Sequence, residues 1–397
     1  MQDLAKKTRR CKRIWKTLVP VLGPIFSKLF DYHGTKFKPK TKEPYLLVSN
    51  HTYAADPGFL LVTVKDYYRF VSSDHVVENP FVRALIMGLA NPIINHHEQS
   101  QDVVYNEMLE TLKNGVNVQL MAEARTTDIG ATGYISRRNA TLVKEAGCGL
   151  ITFHLKGGYL MSPRWASERR KGPVLGEVVH HYSAAEVAQM TEEEVYETMC
   201  RDLQVNAYEE NRKLHHKYLC EHPAEHAEYV LYGCPKCGSV GRVHTKDVRI
   251  FCDCCDFTAT VDDEGFWHGE GLSFDNIPDW DAYQKELIYK LLDDATDPDK
   301  VLCEHGGQLV YTMDGHNDVH LQDENGTIRL YKRAIEVDYC GKQIRLAPDD
   351  IHSISYASVG TLIIVTDDAH FRIKTSVPRA ANIYVVAERY MKGQKTI

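Results

Sequence analysis

Residues 45–56 read Tyr-Leu-Leu-Val-Ser-Asn-His-Thr-Tyr-Ala-Ala-Asp. The apolar run 45–48 predicts a buried strand, and the loop that leaves it carries His51 and Asp56. Loops at strand ends hold catalytic side chains in α/β proteins, because the sheet aims them at a shared cleft. A carboxylate beside an imidazole fixes the tautomer of the ring and stabilises its protonated form. The pair therefore predicts a general base for a hydroxyl nucleophile, with a chance pairing of surface residues as the alternative.

Apolar runs alternate with helical patterns between residues 41 and 228. Strands are predicted at 45–48, 68–71, 92–94, 117–122, 149–155 and 174–180, and helices at 56–65, 79–89, 102–114, 137–146 and 191–213. Ser183 begins a capping-box pattern and Thr191 precedes three glutamates, so a helix N-terminus is expected at each. The alternation predicts an α/β domain in which helices flank a sheet.

The length and composition are those of a globular protein with several domains. A chain of 397 residues exceeds one ordinary core, and 43% hydrophobic with 25% charged residues excludes a disordered chain. The formal net charge of −7 argues against general nucleic-acid binding. The sequence contains neither a secretory signal nor an unbroken run of about 20 apolar residues, so we expect a reducing, cytoplasmic location.

Residues 1–40 form a basic, amphipathic segment. Ile25, Phe26 and other apolar residues follow a run of cations that also contains Trp15; the cations are Lys6, Lys7, Arg9, Arg10, Lys12, Arg13 and Lys16. Cations that precede apolar anchors are typical of a helix lying in the headgroup region of a membrane. We expect this segment to hold the protein peripherally at the inner face of the cell membrane. The alternative is a helix packed on its own domain, with solvated cations.

Further polar residues follow later strands of the predicted domain. Glu123 and Arg125 come after the strand 117–122, where a carboxylate and a guanidinium can orient and neutralise a phosphate or sugar acceptor. An exposed ion pair is the alternative. Lys156 and Arg164 belong to a cationic, glycine-containing stretch that would line a channel for an anionic substrate, or form a solvated loop.

The order of these motifs resembles the phospholipid/glycerol acyltransferase family, whose best-known members are 1-acylglycerol-3-phosphate acyltransferases. The resemblance rests on Asn50-His51-x4-Asp56, on Glu123-x-Arg125 and on the apolar strand that leads into Lys156-Gly-Gly. More narrowly, residues 157–165 (Gly-Gly-Tyr-Leu-Met-Ser-Pro-Arg-Trp) are similar to a bacterial subgroup with an appended cysteine module, with one residue fewer in the spacer.

The resemblance implies transfer of a fatty acyl group from acyl-CoA or acyl-ACP, the acyl carrier protein, to a glycerol hydroxyl of a lysophospholipid. His51 would remove the hydroxyl proton and Asp56 would orient His51. The substrate-binding residues it implies are Asn50, Glu123, Arg125, His96, Lys156 and Arg164.

Two blocks depart from the family pattern. The third block is usually Phe-Pro-Glu-Gly-x-Arg, whereas residues 121–126 read Met-Ala-Glu-Ala-Arg-Thr. The second block usually ends in an arginine for the acceptor's phosphate, whereas residues 93–98 read Ile-Ile-Asn-His-His-Glu. A histidine is a weaker phosphate partner than an arginine, so the acceptor is expected to differ or the activity to be lower. The alternative function is therefore a catalytically reduced lipid-binding or scaffold protein that recruits partners through its later modules.

A cysteine module is predicted at residues 229–271. Four cysteines have the spacing C-x2-C-x14-C-x2-C, which is typical of a structural zinc ribbon; they are Cys234, Cys237, Cys252 and Cys255. Cys254 is a spare thiol that can substitute for Cys255. Four thiolates leave no open position on the metal, so we expect the zinc to be structural.

The remaining residues predict a connecting helix at 272–300 and a small β domain at 301–397. Short alternating segments end in a helical stretch at 378–391, which resembles a pleckstrin-homology-like domain. Within it, Asn325-Gly326 predicts a hairpin turn.

Overall fold

The computed structural model describes residues 2–73, 80–95, 101–123, 125–313, 319–358, 360–374 and 381–395. The chain forms two compact units. The first contains residues 1–163 and 170–218, and the second contains residues 164–169 and 219–397. The domain boundaries expected from the sequence stay predictions.

The first unit alternates strands and helices, as the sequence predicts. Its elements are α1 (Gln2–Leu29), β1 (Tyr32–Gly34), β2 (Tyr45–Ser49), α2 (Asp56–Thr63), β3 (Tyr68–Ser73), α3 (Pro80–Leu89), β4 (Ile93–Asn95), α4 (Gln101–Lys113), β5 (Asn117–Met121), α5 (Arg138–Ala146), β6 (Gly149–Lys156), α6 (Gly158–Met161), β7 (Val174–Tyr182), α7 (Ala184–Gln189), α8 (Glu192–Leu203) and α9 (Ala207–Leu214). The predicted α/β class is confirmed.

One seven-stranded sheet organises this unit, with the strand order β1-β7-β6-β2-β5-β3-β4. β2 lies at its centre and pairs in parallel with β5 and β6. β3 and β4 continue the parallel arrangement, while β7 runs antiparallel to β6. All five residues of β2 are buried, which is typical of a central parallel strand covered on both faces. The carboxyl ends of β2, β5 and β6 therefore lie along the same edge.

Two capping boxes begin α7 and α8. Ser183 and Glu186 exchange side-chain and backbone hydrogen bonds at the first, and Thr191 and Glu194 do so at the second. These helix N-termini are confirmed. The helix predicted over 191–213 is broken, because the Asn206 side chain accepts from the amides of Tyr208 and Glu209 and begins a separate helix, α9.

Helix α1 both packs on its unit and exposes a surface. Cys11, Trp15 and Val19 are buried in a cluster with Tyr67, Leu89 and Val116. The first half exposes six cations: Lys6, Lys7, Arg9, Arg10, Arg13 and Lys16. The second half exposes apolar side chains, namely Val21, Leu22, Ile25 and Leu29. Among the described residues, no helix is both long and apolar enough to span a bilayer.

The second unit begins with a four-stranded antiparallel sheet of β8 (Val243–Lys246), β9 (Arg249–Cys252), β10 (Thr258–Val261) and β11 (Trp267–Gly269), followed by α10 (Ile277–Asp293). Although a connecting helix was predicted there, α10 packs closely on the cysteine module. The Trp280 indole donates to the Gly233 carbonyl at 2.8 Å. The buried Gln284 amide accepts from the backbone of Tyr232 and Gly233 and donates to the Val230 carbonyl.

A second seven-stranded sheet follows, all antiparallel, with the strand order β15-β14-β13-β12-β18-β17-β16. Its strands are β12 (Cys303–Met313), β13 (Val319–Tyr331), β14 (Ala334–Tyr339), β15 (Lys342–Leu346), β16 (Ser353–Ser358), β17 (Thr361–Val365) and β18 (His370–Lys374), and α11 (Asn382–Met391) comes last. A small β domain with a C-terminal helix is confirmed, while its pleckstrin-homology-like character stays a prediction. Pro378, expected in the first helical turn, lies outside the described residues.

The hairpin turn predicted at Asn325-Gly326 is wrong, because both residues lie inside β13. Gly326 pairs with Gln308 of β12, where the strand register is irregular. A Cβ atom at Gly326 would lie 2.4 Å from Cγ2 of Val310 and 3.0 Å from the Asp338 carbonyl oxygen. The glycine therefore permits close approach of neighbouring strands instead of turning the chain.

Candidate active site

The parallel sheet brings three sequence-distant segments to the edge beyond β2. These are the loop 50–55, Glu123 just after β5, and the glycines that follow β6. The β2–β5 register continues into the loop, since the Ala122 amide donates to the Ser49 carbonyl at 3.0 Å. This edge is the usual position of an active site in an open α/β sheet.

His51 and Asp56 face each other as the sequence predicts. The Nδ1 atom of His51 lies 2.9 Å from Oδ2 of Asp56. The side chain of Asp56 is 0% exposed, and that of His51 is 17% exposed. A carboxylate accepts from the protonated ring nitrogen, so Nδ1 carries the hydrogen and Nε2 keeps its lone pair. The pair can therefore accept a proton at Nε2.

The carboxylate of Asp56 also accepts hydrogen bonds from the loop 50–55. Its Oδ2 atom also accepts from the amides of Thr52 at 2.6 Å and Tyr53 at 2.9 Å. Its Oδ1 atom accepts from the Thr52 hydroxyl at 3.0 Å. These donors compensate for burying the carboxylate and fix its orientation toward the ring.

Thr52 and Gly158 are contributors that sequence reasoning missed. A Cβ atom at Gly158 would lie 2.1 Å from Oγ1 of Thr52, so a side chain there would displace the hydroxyl that binds Asp56. The position of Thr52 inside the His-x4-Asp motif was a signal for its role. The glycine pair after β6 was noticed in the sequence, but its contact with Thr52 depends on strand pairing.

Glu123 follows β5 and contacts the loop 50–55. Its Oε1 atom accepts from the His51 amide at 2.7 Å, and its Oε2 atom accepts from the Gly133 amide at 2.6 Å. The residue is 8% exposed. Burial raises the pKa of Glu123 to about 6, although the two amides favour the charged form. Both oxygens thus bind backbone groups, and the predicted contact with an acceptor stays a prediction.

Asn50 continues the strand pairing beyond β2. Its side-chain amide donates to the Leu155 carbonyl at 2.9 Å, and its side-chain oxygen accepts from the Leu155 amide at 2.8 Å. The residue is buried at 2% exposure. This reciprocal pair anchors the start of the loop 50–55 to β6, and the predicted substrate contact of Asn50 also stays a prediction.

The predicted cations of the site differ in their surroundings. Lys156 forms ion pairs with Glu177 at 2.9 Å and Glu210 at 3.0 Å, and these acids keep the pKa of the lysine above its ordinary value despite burial. Arg125 is exposed and pairs with Asp128 at 2.6 Å.

The roles of the last two predicted substrate-binding residues stay predictions. Arg164 belongs to the second unit and is half-buried. His96 lies outside the described residues.

The predicted metal ligands lie together in the second unit. One sulfur from each of Cys234, Cys237, Cys252 and Cys255 lies within 4.8 Å of the others. The Sγ atoms of Cys234 and Cys255 are 3.7 Å apart, and those of Cys237 and Cys252 are 3.8 Å apart. Tetrahedral zinc with Zn–S bonds of about 2.3 Å requires sulfurs about 3.8 Å apart. The four thiols fit a zinc ion in both chemistry and spacing.

Comparisons with known proteins find similarity within the first unit. Residues 30–156 match the family model described as Acyltransferase. Among solved structures, the fold is similar to the crystal structure of the 1-acyl-sn-glycerophosphate (LPA) acyltransferase, PlsC, from Thermotoga maritima. That match has 17% sequence identity and a TM-score of 0.42, and covers 49% of this chain and 78% of that chain. No curated protein matches the sequence significantly.

Proposed function

We propose that the protein transfers a fatty acyl group to a glycerol hydroxyl of a lysophospholipid, and the match of residues 30–156 to the acyltransferase family model supports this. The donor is a thioester, either acyl-CoA or acyl-ACP. The observation that carries the proposal is the 2.9 Å contact between Nδ1 of His51 and the buried carboxylate of Asp56. It leaves Nε2 of His51 as a proton acceptor in the loop beyond the central strand.

The reaction begins with proton transfer. Nε2 of His51 takes the proton of the acceptor hydroxyl while the oxygen attacks the carbonyl carbon of the thioester. The Asp56 carboxylate stabilises the resulting imidazolium, since it already accepts from Nδ1. General-base catalysis of this kind typically contributes about 10²–10⁴-fold to the rate.

The second half of the reaction returns the proton. The tetrahedral intermediate expels the thiolate as its C–S bond breaks, and the imidazolium of His51 protonates the sulfur. The products are the ester and the free thiol of coenzyme A or acyl carrier protein. No covalent acyl-enzyme is required, because the acceptor oxygen attacks directly.

Recognition of an anionic acceptor is assigned here to Arg125. The acids that contact Lys156 offset its charge and its side chain is 20% exposed, whereas the side chain of Arg125 is 45% exposed and can reach a ligand from solvent. A guanidinium can bind a phosphate through two parallel hydrogen bonds. When an acceptor phosphate replaces Asp128 as the partner of Arg125, the guanidinium still has an anion beside it.

The membrane surface supplies the lipid acceptor. The exposed cations in the first half of α1 and the exposed Val21, Leu22, Ile25 and Leu29 in its second half support a peripheral attachment to an anionic leaflet. We assign this attachment to the inner face of the cell membrane.

The zinc that we propose for the second unit is structural. Cys234, Cys237, Cys252 and Cys255 would hold it, and four thiolates leave no position for a substrate. When bound, the ion supplies folding free energy to the module. It takes no part in the acyl transfer proposed above.

The test is product analysis with purified protein. We expect an ester product when acyl-CoA or acyl-ACP is incubated with a panel of lysophospholipids and read by mass spectrometry, and no product from His51→Ala. The absence of product with both donors, together with retained lipid binding, would favour the lipid-binding or scaffold function instead. That alternative is supported by the missing arginine in the second block, 93–98.

A further inference from the structure

Helix α3 exposes an apolar surface that its sequence does not balance with charge. The helix reads Pro-Phe-Val-Arg-Ala-Leu-Ile-Met-Gly-Leu and contains one charged residue, Arg83. Leu85 is 48% exposed and Met87 is 38% exposed. Ala84, which precedes Leu85, is exposed as well. A helix at the surface of a water-soluble domain normally turns charged residues outward. The exposed side of α3 therefore needs an apolar partner.

The exposed apolar side chains of the first unit are concentrated on two helices. Of nine large ones in its described residues, six lie on α1 and α3 and the others are Val103, Tyr134 and Leu214. Isolated exposed apolar residues need no explanation, but a concentration of them marks an interaction surface.

The two helices are packed together. Sγ of Cys11 on α1 lies 3.7 Å from the Met87 carbonyl oxygen on α3. Leu89 of α3 and Trp15 of α1 share one buried cluster. The first half of α1, which exposes its cations, thus lies beside α3. Residues 4–30 contain no acid, so these cations give this side of the unit a positive field.

We infer that α3 is a second membrane-inserting element, which enters the acyl region of an anionic leaflet while the α1 cations bind its headgroups. This inference rests on the proposed membrane attachment through α1. It adds a second contact with the membrane, because α3 begins about 50 residues after α1 ends. The charge of α1 indicates which partner covers α3. A second copy of the chain would bring the α1 cations of both copies together, whereas an anionic bilayer is complementary to this surface in both charge and polarity.

The experiment compares two double variants of the full-length, zinc-loaded protein. Leu85→Asp with Met87→Asp changes α3, and Leu219→Asp with Val248→Asp changes residues of similar exposure, 47% and 41%, in the second unit. Sedimentation with vesicles containing phosphatidylglycerol should fall about tenfold or more for the α3 variant, since two apolar contacts are replaced by anions. The control variant should sediment as the parent does.

A single substitution keeps the test independent of folding defects. The Leu85→Trp variant should be quenched by vesicles of brominated lipid beyond the quenching of the native tryptophans, whereas Val248→Trp should not. Equal vesicle binding by the α3 variant and the parent, with no added quenching of Leu85→Trp, would overturn the inference. Loss of self-association without loss of vesicle binding would also overturn it and assign the surface to a second copy.

Failure of this inference is distinguishable from failure of the acyl-transfer proposal. Acyl transfer to a water-soluble, short-chain lysophospholipid does not require the membrane, so the α3 variant should keep the parental rate in that assay. A protein that inserts α3 but forms no ester with any acceptor would refute only the activity.

Discussion

Replacing Glu123 by glutamine should remove a pH-dependent loss of stability and lower the activity. The charged carboxylate is buried and accepts from the His51 and Gly133 amides. Burial raises its pKa from 4.5 to about 6, and a difference of this size corresponds to about 2 kcal/mol. Since the pKa is higher in the folded state, ionisation lowers the free energy of unfolding as pH rises from about 4.5 to about 6.

The glutamine variant has the shape of the protonated acid but never ionises. Relative to the parent, the variant should therefore gain about 2 kcal/mol in the free energy of unfolding from below pH 4.5 to above pH 6, in addition to a pH-independent cost for the backbone amide that loses its acceptor. For a unit of this size, that gain changes the difference in melting temperature between the two proteins by roughly 4–8 °C. Calorimetry of the full-length, zinc-loaded protein between pH 4.5 and pH 7.5 measures it, with the exposed Glu197→Gln on α8 as the control.

The same substitution should lower kcat. A glutamine offers one acceptor oxygen, so either the His51 or the Gly133 amide loses its partner and the catalytic loop shifts. Small displacements of a catalytic group cost about 10²-fold in rate, so we expect a loss of roughly 10–100-fold in kcat with KM for the acceptor little changed. A retained kcat with a raised acceptor KM would show that Glu123 binds substrate. A difference in stability between parent and variant that does not change with pH would refute the raised pKa of Glu123.

Four other changes test the site and the second unit. His51→Ala should lower kcat by about 10²–10⁴-fold with unchanged circular dichroism, and a parental rate would refute the base assignment. Asp56→Asn should cause a loss of similar order, because the amide no longer holds the Nδ1–H tautomer; kcat measured at saturating donor checks this. Cys252→Ser should reduce zinc from about one per chain to well below one by metal analysis. Gly326→Ala should cost about 1–3 kcal/mol in calorimetry through its contact with Val310, unlike Gly306→Ala, whose nearest neighbour would be 3.7 Å away.

Local sequence patterns predicted the parts of the fold that depend on neighbouring residues. The six strands predicted in the α/β domain occur, because short runs rich in β-branched, aromatic and other apolar residues between helical patterns are typical of strands in an α/β sheet. The cysteine cluster was also predictable, since each pair of ligands comes from one short turn. The continuous strand at Asn325-Gly326 was not predictable, because the crowding that requires a glycine there comes from the neighbouring strands β12 and β14.

In the candidate site, too, contacts between neighbouring residues were predictable and contacts between distant residues were not. Asp56 contacts His51 and the Thr52 amide across a few residues, so a short motif could predict the pair. The roles of Asn50 and Glu123 could not be predicted, because their partners lie 105 and 72 residues away. The strand-end position of Glu123 and the family resemblance of Asn50 suggested side chains that face a substrate, whereas strand pairing gives both of them backbone partners.

His51 is consequently restrained from two sides by different parts of the chain. Asp56 fixes the imidazole through Nδ1, and it can do so because α2 begins at Asp56 and its carboxylate turns back to the amides of Thr52 and Tyr53. Glu123 fixes the His51 backbone, and it can do so because β2 and β5 pair in register up to Ser49 and Met121. The first restraint sets the tautomer and the second sets the position of the ring. A general base needs both, since its proton transfer depends on the lone pair and on distance to the hydroxyl.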